Sequence, residues 1–309
     1  MNRVYQNYVT SHDGSQIYFM SLGTGLPFVM CDGIGCDKYV WKYSVSYFQD
    51  SCRIVRWNYR GHGKSPLPTD MHNLSIQDCC KDLKAVLDDD EIDKAVFIGH
   101  SMGVQVILEF YRMYPDRVLA LIPLCGSYGH PLKTFHDNSV LDMTFPLIYM
   151  MINAFPRVFE AVFKKLLPTE FAWQVAIHSE INGHLLKQED FMPYFDHLSR
   201  ISLPLFVKML DYASKHTCED LLPKIKVPTL IIAGEFDTFT PMWLSEKMHR
   251  QIPNSEILVV PHGSHTAPIE MPYLVNLRIE KFFIDKLGFK GVNHFAQGAD
   301  PVILASQVA

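Results

Sequence analysis

AVFIGHSMGVQVILEF, residues 95–110, runs from an apolar tract through Gly99-His100-Ser101-Met102-Gly103 into a stretch with apolar positions at helical spacing. Such a tract reads as a buried strand and the continuation as a helix. A strand, a tight turn and a helix in that order force the serine into a strained conformation, with its hydroxyl projecting from the sheet. The flanking glycines lack a Cβ, which lets strand and helix approach closely. As a bare pattern Gly-x-Ser-x-Gly is weak; its place between strand and helix is what makes Ser101 a candidate nucleophile.

A serine hydroxyl is a poor nucleophile until a base takes its proton. Of the fourteen histidines, His265 in VVPHGSHTAPIEMP follows the last predicted strand, where an imidazole can reach back over the serine. His262 is the rival in the same loop. The imidazole in turn needs a carboxylate to hold its tautomer and stabilise its charge. Asp237 in IIAGEFDTFTP, just after another predicted strand, is the candidate, with Glu235 as its neighbour and competitor. Acyl transfer also needs two backbone N–H groups for the oxyanion. Met102, next to the serine, supplies one in this reading. Ile34, in the Gly33-Ile34-Gly35 turn after FVMCDG, supplies the other. The chain order serine, aspartate, histidine is itself a constraint that three separate loops satisfy.

Outward from the turn, strand-like runs recur: QIYFMSL, PFVMCDG, CRIVRWN, DKAVFIG, VLALIPLCG, PTLIIAG and SEILVVP. Several are continuously apolar, as strands buried on both faces of a parallel sheet must be. Amphipathic stretches such as IQDCCKDLKAVLDD lie between them. This alternation predicts an α/β fold, a mostly parallel sheet flanked by helices. It breaks after Gly126 and resumes near Val227. The interval is rich in Phe, Met and Leu, includes Pro131, Pro146, Pro156, Pro168 and Pro193, and reads as several helices without a strand. Residues 1–126 and 227–287 are thus expected to form the core and 127–226 an inserted helical cap. Residues 288–309 are expected to be a tail. The cap's most apolar piece, MTFPLIYMMINAFPRVFEAVFKKLL, is interrupted by two prolines and several charges. It reads as a lid over an acyl pocket, with peripheral membrane contact as the lesser alternative.

Composition narrows the partners. A net charge of −5 leaves no basic field for a phosphate backbone, so nucleic acid is not expected, and no Lys/Arg run marks a membrane anchor. Seven cysteines without a Cys-x-x-Cys pair suggest neither a disulfide framework nor a metal site, which fits reduced thiols in the cytoplasm. The N-terminus shows no basic segment followed by an apolar run. Expected are a small-molecule substrate and no metal or organic cofactor; a homo-oligomer stays open.

Together the GHSMG elbow, NYRGHGKS (58–65), VPTLIIAGEFDTFTP (227–241) and GSHTAPIEMP resemble the α/β-hydrolase superfamily, particularly its esterase and lipase branch, over most of residues 15–287. The chain departs from that pattern at Asp32-Gly33, where members usually carry His-Gly, and at Asn58, where they often carry Asp. The resemblance implies a serine hydrolase of carboxylic esters that uses Ser101, Asp237 and His265 and needs no metal. It leaves open a lactonase, a carbon–carbon bond hydrolase, or a slow-turnover ligand receptor on the same scaffold.

Overall fold

Continuous apolar runs form these strands because the sheet is covered on both sides, and the alternation survives in where each side chain points. In LPFVMC, Phe28 and Met30 join one apolar cluster while Val29 and Cys31 join the other; in AVFIGH, Val96 and Ile98 separate in the same way from Ala95 and Phe97. The computed structural model describes residues 4–179 and 181–291. Its eight strands are β1 Val4–Thr10, β2 Gln16–Leu22, β3 Leu26–Cys31, β4 Cys52–Trp57, β5 Ala95–His100, β6 Val118–Leu124, β7 Thr229–Gly234 and β8 Ser255–Val260. They lie in the order β1-β2-β4-β3-β5-β6-β7-β8. The β1–β2 and β2–β4 pairs are antiparallel and the rest parallel, with Phe28 beside Val96 and Leu121 beside Thr229. The fold is therefore the mostly parallel α/β sheet expected from the alternation.

Twelve helices accompany the strands among the described residues: α1 Lys42–Phe48, α2 Ile76–Asp89, α3 Met102–Met113, α4 Pro131–Thr134, α5 Val140–Ala154, α6 Pro156–Leu166, α7 Glu170–Ser179, α8 Gln188–Leu198, α9 Leu203–Lys215, α10 Met242–Gln251, α11 Ala267–Glu270 and α12 Pro272–Leu287. Leu83 and Val86 of α2, Ile107 and Phe110 of α3 and Leu244 of α10 pack on one face of the sheet; Phe48 of α1 and Phe282 and Phe283 of α12 pack on the other. The start of α2 is fixed by a capping box in which Ser75 accepts from the Asp78 N–H and Asp78 from the Ser75 N–H.

β1 is the strand that the apolar pattern does not reveal. Its residues, VYQNYVT, are mostly exposed at the sheet edge, so burial imposes no alternation on them. Between β6 and β7 come α4–α9 with no strand among the described residues. The two limbs of this excursion meet in an antiparallel bridge between Gly129 and Thr217, tightened by the Cys218 N–H donating to the Tyr128 carbonyl at 2.7 Å. A small cluster of its own, including Leu132, Phe145, Ile152 and Val207, holds α4, α5 and α9 together. At the C-terminus Gly288 takes φ 66° and ends α12. Most of the expected tail, residues 292–309, lies outside the described residues.

Candidate active site

At the tip of β5, Ser101 has φ 56° and ψ −119°, a backbone that L residues avoid without tertiary support. That support is visible. The Ser101 N–H donates to the carbonyls of Leu124 and Cys125 at 3.2 and 3.1 Å, and its own carbonyl accepts from Val104 at 3.0 Å. The turn admits only glycine on either side: a Cβ on Gly99 would lie 2.2 Å from the Gly103 oxygen, and one on Gly103 would lie 2.3 Å from the Cys31 oxygen. Met102 opens α3, so its N–H is one that the helix itself cannot satisfy.

His265, in the loop after β8, directs Nδ1 at the Asp237 carboxylate, 3.1 Å from Oδ1 and 3.0 Å from Oδ2. Asp237 is buried and heavily supported: it accepts from the N–H groups of Phe239 and Thr240 at 2.9 and 2.8 Å and from the Thr240 hydroxyl at 2.8 Å. These donors fix the carboxylate while it fixes the ring, and Phe239 stacks on that ring at 4.8 Å between centroids. Because the carboxylate occupies Nδ1, the ring is assigned its Nδ1–H tautomer, with the lone pair on Nε2. The two rivals are found together elsewhere. Glu235 accepts from the His262 N–H at 2.8 Å, and both side chains are well exposed.

Four further residues brace this geometry and escaped the reading of the sequence. Glu270 accepts from the Ser264 N–H and hydroxyl, the Thr266 hydroxyl at 2.8 Å and the Asn182 N–H at 3.2 Å, tying the His265 loop to the cap. Burial pushes its carboxyl above the usual carboxylate range. His100 donates from Nε2 to the His265 carbonyl at 2.9 Å, and its complete burial, aided by the neighbouring His265, lowers its pKa to about 3, so it stays neutral. The Tyr59 hydroxyl donates to the Asp32 carbonyl at 2.7 Å. His62 accepts the Gly35 N–H on Nε2 at 3.0 Å and turns Nδ1 to the Arg60 carbonyl at 3.0 Å, and burial lowers its pKa to about 4. The only sequence trace of these braces is their proximity to motifs, as in NYRGHG.

Tyr59 and His62 hold the loop 32–35 against the serine. A Cβ at Gly33 would sit 3.0 Å from the Ser101 Cβ, and Gly35 needs its φ of 72° to turn away. Ile34 lies between them and faces the same cavity as Ser101 and Met102. Asp32, the departure from the resemblance, is buried with its Oδ2 accepting from the Lys38 N–H at 3.2 Å. Desolvation, with Asp37 nearby, pushes its carboxyl up to about 7. Asn58 donates to Asp37 at 2.9 Å and accepts from the Lys64 N–H at 3.1 Å, so it holds the neighbouring turn rather than the reacting groups.

Ser101, His265, Ile34 and Met102 all line one cavity of about 510 Å³ between the sheet's C-terminal edge and the cap. Its wall is mainly cap: Leu141, Leu166, Phe171, Phe191, Phe206 and Leu210 are among the apolar side chains. Among the described residues, no Asp, Glu, Lys or Arg lines it. A pocket at the carboxyl ends of parallel strands is where open α/β sheets place ligands.

This sheet, with a serine on a strained turn after a central strand, defines the α/β-hydrolase class of fold. Residues 27–272 match the model of the alpha/beta hydrolase fold family, and the chain belongs to it. Among similar proteins, the bifunctional epoxide hydrolase 2 of Mus musculus is 25% identical over 302 residues, covering 89% of this chain and 54% of that one. The chain thus spans about half the length of that relative. An esterase of Exiguobacterium antarcticum superposes with a TM-score of 0.72 at 19% identity, over 90% of this chain and 99% of that one. The enol-lactonase of Burkholderia xenovorans LB400 gives 0.71 at 17% identity, over 90% and 99%. No helix among the described residues is long and apolar enough to cross a membrane.

Proposed function

We propose that this chain is a serine hydrolase of neutral, apolar carboxylic esters of small to medium size, working through an acyl-enzyme. The observation that carries the reading is the His265–Asp237 pair, engaged through Nδ1, on the wall of the cavity that holds Ser101 on its strained turn. In this mechanism His265 Nε2 takes the proton of Ser101 Oγ as Oγ bonds to the acyl carbon. The N–H groups of Met102 and Ile34 take the negative oxygen. The acyl–alkoxy bond then breaks and the imidazolium proton leaves with the alcohol. Water next gives a proton to Nε2 and its oxygen to the acyl carbon, the bond to Oγ breaks as the imidazolium returns that proton to Oγ, and the acid departs. Residues 1–126 and 227–287 supply the chemistry in this reading, and 127–226 supply the acyl pocket.

Chemistry separates this reading from that of the epoxide hydrolase relatives. A serine that opened an epoxide would leave an alkyl ether on the enzyme, with no carbonyl for water to attack. Acyl transfer to Ser101 leaves an ester, which the same groups hydrolyse. The absence of Asp, Glu, Lys and Arg among the described residues of the cavity wall favours uncharged substrates, since an ion moved there is desolvated without a partner.

Turnover of p-nitrophenyl esters from acetate to palmitate, beside a set of lactones, tests the proposal, with fluorophosphonate labelling of wild type and Ser101→Ala. Expected are turnover of short and medium esters and labelling, both lost in the variant. Labelling of Ser101 without ester turnover would move the substrate to lactones or carbon–carbon bonds. A folded wild type that neither labels nor turns over any ester would end the serine-hydrolase reading.

A further inference from the structure

The cap buries much of its apolar content, Phe191, Leu205 and Val207 among it, but α5 buries only Phe145 and Ile152 and α6 buries nothing fully. On α5, Val140, Met143, Leu147, Met150 and Met151 recur at helical spacing and are all exposed, Met143 by 77%. The stripe continues through Phe155 at the bend to Val158, Val162 and Leu166 of α6, and on to Phe171 and Val175 of α7. These helices are apolar on their inner faces too, where Phe145 and Ile152 are buried and Phe159 and Phe163 pack. An ordinary surface helix turns its apolar stripe inward and leaves polar residues outside. Here the outward face is apolar as well, and contiguous patches of this kind mark interaction sites.

The polar groups of the same helices indicate what lies against them. Thr144 donates its hydroxyl to the Val140 carbonyl at 2.8 Å, and Asn153 its amide to the Tyr149 carbonyl at 2.8 Å. Both satisfy themselves on their own helix. A protein partner would instead find groups to bond, about one hydrogen bond per 100–200 Å². The charges are equally selective. Although the chain carries a net −5, the exposed charged residues of α5 and α6 are Arg157, Lys164 and Lys165, all positive; Asp142 and Glu160 are half-buried, Glu160 accepts the Leu203 N–H, and the one exposed carboxylate at the start of α7, Glu170, accepts from the Gln174 and Gln188 amides. Leu166, Phe171 and Val175 are exposed on this face and also line the cavity, so the apolar surface runs without a break to Ser101.

We propose that the outer face of α5, α6 and the start of α7 docks onto an anionic phospholipid bilayer, the helices lying in the plane of the interface, and that apolar substrate passes from the bilayer into the cavity along Leu166, Phe171 and Val175. An apolar face flanked by Lys and Arg is the chemistry of interfacial helices. The passage of substrate rests on the hydrolase reading; the docking does not.

The docking is therefore tested on a chain that cannot hydrolyse lipid. Full-length Ser101→Ala is sedimented with vesicles of phosphatidylcholine alone and with phosphatidylglycerol added. Binding is expected to the anionic vesicles, to weaken with salt, and to fall at least about tenfold on Val158→Glu/Val162→Glu and on Lys164→Glu/Lys165→Glu. None of these four side chains lines the cavity, so in the Ser101 background turnover of a water-soluble ester stays unchanged, and unaltered circular dichroism and melting show that the variants fold. Two results overturn the docking: no co-sedimentation with anionic vesicles, or binding that both variant pairs leave intact. A dimer in lipid-free solution that Val158→Glu/Val162→Glu splits assigns the face to a second copy and overturns it as well. Loss of fluorophosphonate labelling in the wild type with binding intact removes the hydrolase reading alone.

Discussion

Two histidine–carboxylate pairs of nearly equal length are built into this molecule, and they differ in which ring nitrogen is used. At the cavity, Asp237 holds His265 by Nδ1 at 3.0 Å. At the neck of the cap, Glu109 of α3 holds His216 by Nε2 at 3.1 Å, and the Gln105 amide donates to Nδ1 at 3.1 Å. The second ring has both nitrogens engaged and no lone pair to offer. Its carboxylate is saturated as well, since Glu109 Oε2 also takes the Arg112 Nε–H at 3.0 Å and the Cys218 thiol at 3.4 Å. Although Glu109, His216 and Cys218 lie close enough to chelate, their hydrogen bonds to one another, to Arg112 and to Gln105 already account for the set. The neck pair fastens the returning limb of the cap to the core; the cavity pair engages Nδ1 alone and leaves Nε2 for the proton transfer proposed above.

Breaking the carboxylate in each pair sharpens that contrast. Asp237→Asn leaves the shape but removes the acceptor that selects the Nδ1–H tautomer, and kcat on a short ester is expected to fall by about 10⁴. A loss below about tenfold would mean that the orientation of His265 does not matter. Glu109→Gln strands donors of Arg112, His216 and Cys218 in a mostly buried site; urea unfolding is expected to show a loss of about 1–3 kcal/mol while kcat stays within about threefold. A large drop in kcat with stability intact would make the neck part of the catalytic apparatus.

The sheet was legible because burial leaves an apolar record, continuous in the central strands and still readable in β8, where only Val260 is fully buried, whereas the mostly exposed β1 left too little to read. The candidates Ser101, Asp237, His265, Ile34 and Met102 could be named because each sits at a strand end or glycine turn that local rules recognise. Glu270, Tyr59, His62 and His100 could not, since a brace is defined by what it reaches across space: His100 meets the carbonyl of a residue 165 positions away. The cap teaches a different limit. Apolar residues at helical spacing announce a face but not its direction, so MTFPLIYMMINAFPRVFEAVFKKLL reads the same whether Met143 and Val158 point inward or, as here, into solvent.

His62 extends the comparison to a histidine without a carboxylate. With one ring nitrogen accepting from Gly35 and the other turned to the Arg60 carbonyl, it functions only while neutral, and burial holds its pKa near about 4 against an ordinary 6.5. The unfolded chain therefore binds a proton there between those values while the native chain does not, and unfolding is favoured as pH falls. The contribution is complete above the unfolded pKa and is lost as pH drops from 6.5 toward 4. Between pH 7.5 and 5.5 it amounts to about 1 kcal/mol, because the native group stays neutral throughout and only the unfolded one titrates. His62→Gln keeps an acceptor for Gly35 without the titration, so the stability advantage of wild type over this variant is expected to shrink by about that much across the window, measured by urea unfolding at each pH. An advantage that grows on acidification would mean that His62 is charged in the native loop, where both ring nitrogens donate and Nε2 could not accept the Gly35 N–H.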